Sequence, residues 1–88
     1  MVSFSTVWKR ILKHQGHTFH QKRGKAFRYK IISGAVKPST TNQQIGKDQF
    51  LKAFNLVPLK KVSEANHLWG PSFLYGILMD GRIRKNDW

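Results

Sequence analysis

Residues 14–32 read HQGHTFHQKRGKAFRYKII, and the alternation of side chains through this stretch decides what the rest of the chain must build. It holds three histidines (His14, His17, His20), five cations (Lys22, Arg23, Lys25, Arg28, Lys30), three aromatics and two glycines, and no carboxylate. From His17 the pattern has a period of two. His17, Phe19 and Gln21 fall on one side, and Thr18, His20 and Lys22 on the other. Lys22-Arg23-Gly24-Lys25 is a turn signal. Beyond it Phe27, Tyr29 and Ile31 share one face, and Arg28 and Lys30 the other. An antiparallel hairpin of this kind sets one face on a core and offers the other to solvent. The spacing therefore predicts a hairpin with an aromatic inner face and a cationic outer face.

On the N-terminal side, Phe4, Val7, Trp8, Ile11 and Leu12 recur at helical spacing, with Lys9, Arg10 and Lys13 projecting opposite. Ser3 or Ser5 can cap the start, and Gly16 stands where a left-handed residue would end a helix. The spacing predicts a helix over residues 4–15 with a cationic outer stripe.

On the C-terminal side, Ser33-Gly34 marks a second turn into a short strand, Ala35-Val36-Lys37. Pro38 cannot donate a ladder hydrogen bond, which places that strand at an edge. After the polar loop 39–44, Gly46 is the expected N-cap of a second helix. Ile45 and Phe50 stand at its hydrophobic-staple positions, Gln49 is at N3, and the helix is ended by Pro58. Leu59, Val62, Leu68 and Trp69 make residues 58–70 a packed connection, with a short helix around 62–68. Gly70-Pro71-Ser72 opens a third helix, with proline at the first position where its missing N–H costs nothing. This helix is apolar nearly all round up to Gly81, so it is expected in the core or, through residues 71–79, in a homodimer seam. The predicted fold class is α+β, a small single domain over residues 1–88 in the order helix, antiparallel two- or three-stranded sheet, helix, helix.

Composition narrows the chemistry. The chain has 88 residues and no cysteine, which excludes disulfides, zinc–thiolate sites and thiol nucleophiles. A domain of this size buries only about 60–65% of its unfolded surface, so its eleven aromatics must dominate one small core. No apolar run has the length of a signal peptide core or a membrane span, and a cytoplasmic protein without membrane contact is expected. Sixteen Lys and Arg face four Asp and Glu, a formal net charge of +12, and the first carboxylate in the chain is Asp48. A field of one sign attracts polyanions, above all phosphate backbones.

The candidate binding residues are Lys22, Arg23, Lys25, Arg28 and Lys30 on the hairpin, continued by Lys9, Arg10 and Lys13 on the first helix. Mobile cations on a stiff element are what phosphate contacts require. Phe27 and Tyr29 read as the inward face of a covered sheet, with a base-stacking platform as the other reading. His20 beside Lys22 is the candidate for acid–base cleavage of RNA through its own 2′-hydroxyl. The carboxylates are unpaired in sequence, no glycine-rich phosphate loop is present, and no metal or other cofactor is expected.

The order helix, hairpin, short strand, helix over residues 4–57 is similar in layout to the double-stranded-RNA-binding domain. It is also similar to the HicA-type mRNA interferase toxins, although Lys25-Ala26-Phe27 stands after Gly24 where those toxins carry their histidine. Both likenesses imply an RNA partner. The expected function is nucleic-acid binding, DNA or RNA, through the phosphate backbone. The two alternatives are a metal-independent ribonuclease using His20, and a small inhibitor or interaction module gripping an acidic or nucleic-acid-processing protein.

Overall fold

The computed structural model describes residues 2–88. The first helix, α1, spans Phe4–Lys13; Ser3 caps it by accepting the Thr6 N–H at 3.3 Å, and Val7, Trp8 and Ile11 form its buried side. It stops two residues earlier than the spacing predicts. Gly16, at φ +84°, turns the chain away and donates its N–H to the Tyr29 carbonyl at 2.9 Å.

Two separate sheets follow where one two- or three-stranded sheet was expected. β1 (Phe19–His20) pairs antiparallel with β2 (Ala26–Phe27), Phe19 opposite Phe27. Gly24, at φ +91°, closes their turn. At Arg28 the chain leaves this sheet and enters a second one, made of β3 (Tyr29–Ile32), β4 (Ala35–Pro38) and β5 (Ile45–Gly46) in the order β3-β4-β5. Ser33 and Gly34 both have positive φ, the geometry of a two-residue primed turn, and they set Lys30 opposite Lys37 and Ile31 opposite Val36. The strand after the turn is therefore central, not an edge. β5 pairs only with Ala35 and Val36, so Pro38 lies past its end and its missing N–H breaks no ladder.

The alternation read from the sequence holds across both sheets. Phe19, Phe27 and Tyr29 are buried, and His20, Arg28 and Lys30 are exposed. Phe27 and Tyr29 are core, not a platform for bases: Phe19 packs on Tyr29 with ring centroids 5.2 Å apart, and Phe27 meets Phe73 edge-on at 5.1 Å. The Tyr29 hydroxyl donates to the Ile11 carbonyl at 2.6 Å, satisfying one of the last carbonyls of α1 inside the core. Burial pushes the Tyr29 hydroxyl pKa far up, partly offset by the nearby Arg82 charge. Replacing Tyr29 by phenylalanine leaves that buried carbonyl unpaired and is expected to cost about 1–2 kcal/mol in urea unfolding. An unchanged midpoint would show that the carbonyl finds another donor.

Helix α2 (Lys47–Phe54) has Gly46 as its N-cap, with Ile45 and Phe50 fully buried at the staple positions. It ends at Phe54 because the N–H groups of Leu56 and Val57 tighten onto carbonyls three residues back. Gln49 does not close a capping box; its side-chain carbonyl accepts the Trp69 N–H at 2.9 Å and holds the 66–70 turn on the helix. The connection carries a short 3₁₀ turn, Val62–Ala65, with Leu59, Ala65 and Leu68 buried.

Helix α3 (Pro71–Leu78) starts from Gly70, at φ +65°, with Pro71 in its first turn. Phe73, Leu74, Ile77 and Leu78 are buried in this chain's own core. Gly81 does not end this helix; it opens a fourth, α4 (Gly81–Arg84), capped by Asp80, which accepts the Arg82 N–H at 2.9 Å. The basic tail is thus folded, with Ile83 fully buried against α1 and α3. Trp88 docks as well, its indole N–H donating to the Leu78 carbonyl and its ring edge-on to Phe54. Among the described residues the architecture is α+β: four helices and two antiparallel sheets around one core. No helix among the described residues is long and apolar enough to cross a membrane.

Candidate functional site

The eight predicted cations separate into groups. Lys9 and Lys13 are exposed on the outer face of α1. Arg10, between them, is not free: it donates to Asp87 at 2.6 Å and to the Ile83 carbonyl at 2.9 Å, tying α1 to the C-terminal turn. Lys22 is also committed, donating to the Lys60 carbonyl at 2.8 Å with its ammonium 5.4 Å from the centre of the Tyr75 ring. Arg23 and Lys25 stand exposed at the tip of the first hairpin.

Arg28 and Lys30 come together with a residue the sequence reading left out. Lys37 lies directly across from Lys30, and the three cations line a concavity of about 370 Å3 with Gly16, Tyr29 and Ser39. The local sequence builds this notch. Arg28 sits at the junction of the two sheets, where its N–H donates to Ser39 Oγ at 3.0 Å and its carbonyl accepts the Ser39 N–H at 2.7 Å. Its Nε reaches Thr18 Oγ1 at 3.4 Å, and the Lys37 ammonium donates to the Thr41 carbonyl at 3.2 Å. Gln15 and Gly16 bind the outer edge of β3, through the Ile31 N–H and the Tyr29 carbonyl. Lys37 was findable in the sequence: a two-residue turn at Ser33-Gly34 sets 30 opposite 37.

The electrostatics of the notch are one-sided. Among the described residues the ion pairs are Arg10–Asp87 and Arg82–Asp80, and neither involves a notch cation. Like charges directly opposite on neighbouring strands destabilise a sheet, so the Lys30–Lys37 pair works against the fold that carries it.

The histidines take separate places. His14 and His17 meet with ring centres 5.4 Å apart, on either side of the Gly16 turn, and His14 Nδ1 is 2.8 Å from the Arg10 carbonyl. His20 lies on β1 opposite Ala26 and borders a second concavity of about 380 Å3, with Lys22, Tyr75, Asp80 and Arg84. In that concavity no second imidazole stands by to complete an acid–base pair, and Lys22, Asp80 and Arg84 are already engaged. Asp80 is held by Arg82 at 2.9 and 3.0 Å, and Arg84 by the Trp88 carbonyl at 2.7 Å. Among the described residues no cluster of three His, Asp or Glu side chains is arranged to hold a metal.

Arg82 is the other residue missed. It reaches the Thr18 carbonyl at 2.6 Å and lies over the Phe19 ring at 4.1 Å, pinning the start of β1 to the tail. Burial alone would raise the Asp80 carboxyl pKa; the hydrogen bonds and charge of Arg82 more than offset this and hold it below the ordinary 3.8. Both residues serve the fold, since they orient the strand that leads into the first hairpin.

Compared with known proteins, the chain matches no family model, no curated protein sequence and no solved structure.

Proposed function

We propose that this protein binds nucleic acid through the phosphate backbone, with the Arg28–Lys30–Lys37 notch as its main contact. The exposed cations of the hairpin tip, Arg23 and Lys25, and of α1, Lys9 and Lys13, add to the positive field around it. The observation that carries this reading is the Lys30–Lys37 cross-strand pair beside Arg28, with no carboxylate in ion-pair distance. A surface kept only for solubility mixes signs, whereas this one gathers a single sign at a site where repulsion opposes folding. A polyanion relieves that repulsion. The binding is electrostatic and only modestly sequence-specific, because the cations are presented to phosphates and the sheet aromatics beside them, Phe27 and Tyr29, are buried.

The test is a gel-shift panel of single- and double-stranded DNA and RNA over a range of salt, with EDTA present. Log affinity should fall linearly with log salt, by about 0.7 per phosphate contact for single strands and about 0.9 for duplex. No shift at low salt, or affinity indifferent to salt, would overturn the reading. RNA that is degraded in EDTA would instead assign the chain a metal-free nuclease activity.

A further inference from the structure

We infer that the Arg28–Lys30–Lys37 notch takes a phosphomonoester, the phosphorylated end of a nucleic-acid strand, in preference to an internal phosphodiester. This rests on the nucleic-acid reading above and specifies which phosphate occupies the site. Three features of the notch carry it.

The first is convergence. A track for a continuous backbone needs cations spaced along a line. Here Arg28 from the junction of the two sheets and Lys30 from β3 border the same concavity of about 370 Å3 as Lys37 from β4. That volume is at the low end of small-ligand pockets, room for a nucleotide end and not for a duplex.

The second is charge. A phosphodiester brings one negative charge; a monoester brings about −1.5 to −2 at neutral pH, with three acceptor oxygens. Three cations without a carboxylate partner are better neutralised by the dianion, and charge-assisted hydrogen bonds to it are the stronger kind.

The third is the bounded, preorganised wall. Gly16 lies across the outer edge of β3 with its N–H spent on the Tyr29 carbonyl, and Ser39 closes the other end through paired hydrogen bonds with Arg28. Space opens above Gly16, where an added Cβ would meet nothing within 4 Å. Arg28 and Lys37 are each steadied by one hydrogen bond, to Thr18 and Thr41, which leaves their other N–H groups for the ligand.

The experiment is fluorescence anisotropy on the full chain with short single-stranded oligonucleotides of one sequence, ending in a 5′-phosphate, a 3′-phosphate or hydroxyls only. At least one phosphorylated end should bind about 10-fold or more tightly than the hydroxyl-ended strand. K30Q/K37Q should erase that preference and also weaken the hydroxyl-ended strand, so that all three strands bind alike and below the parent's affinity for hydroxyl ends. The double variant should melt no lower than the parent, since it removes a like-charge pair. Equal affinity for all three ends would overturn the inference while leaving backbone binding in place. No binding to any strand would overturn the nucleic-acid reading itself. A phosphoserine peptide that binds more tightly than the phosphorylated strands would reassign the monoester to a protein partner and overturn the inference.

Discussion

Replacing Gly76 by alanine is expected to destabilise the domain by about 3 kcal/mol, the upper part of the range for overpacking a core. Gly76 lies in the middle of α3, and in an exposed helix the same change would stabilise by roughly 0.5–1 kcal/mol. The sign reverses here because α3 crosses β1 in direct contact. An added Cβ would stand 2.6 Å from the His20 carbonyl oxygen and 3.1 Å from the Phe27 ring. The oxygen is backbone in a paired strand, so neither partner can swing aside. The helix and the first hairpin must part, and Phe27 must give up its edge-on contact with Phe73. In a chain of this size a loss of about 3 kcal/mol lowers the melting temperature by roughly 12–24 °C. Gly81→Ala provides the contrast, because nothing lies within 4 Å of its added Cβ and its φ is not positive. That variant should melt at or slightly above the parent. A G76A protein as stable as G81A would mean that α3 and β1 are not in this close contact.

Replacing Arg28, Lys30 and Lys37 together by glutamine is expected to weaken nucleic-acid binding by about 100-fold at moderate salt, taking about 1 kcal/mol for each lost contact. The slope of log affinity against log salt should become shallower, by about 0.7–0.9 for each phosphate contact the notch no longer makes. The fold should not suffer. Arg28 and Lys30 are exposed and Lys37 is half-buried, their substitution removes repulsion, and the core residues Phe27, Tyr29 and Val36 beside them are untouched. The comparison that sharpens this result is R23Q/K25Q at the hairpin tip. Those cations stand exposed at a turn, so they should act only as part of the general field and change the affinity by a smaller factor. If the tip variant lost as much as the notch variant, the charge would be acting as a diffuse cloud and the notch would have no special role. If neither changed the slope, the second sheet and the hairpin tip would both lie outside the interface.

What the sequence determined was set by near neighbours. The apolar spacing of α1, the alternation from Phe19 to Ile31, the Gly46 start of α2 and the Gly70-Pro71 start of α3 were all legible, because periodicity and turn chemistry act over a few residues. Even the notch was partly written there: the Ser33-Gly34 turn alone places Lys37 opposite Lys30. Tertiary structure decided which of these cations stay free and how the strands join. Arg10 carries the same local signal as Lys9 and Lys13, yet it is spent on Asp87, 77 residues away. Lys22 looks like the start of the cationic ridge and is tied to the Lys60 carbonyl. The strand beside Pro38 became central because Ile45 and Gly46, read as a helix start, also lend two residues of pairing to its other edge. The tail became a helix that clamps Phe19 through Arg82, a contact over more than sixty residues. A cation's reach and a strand's second neighbour depend on which distant surfaces the core brings within a few ångströms, and no local pattern of side chains carries that information.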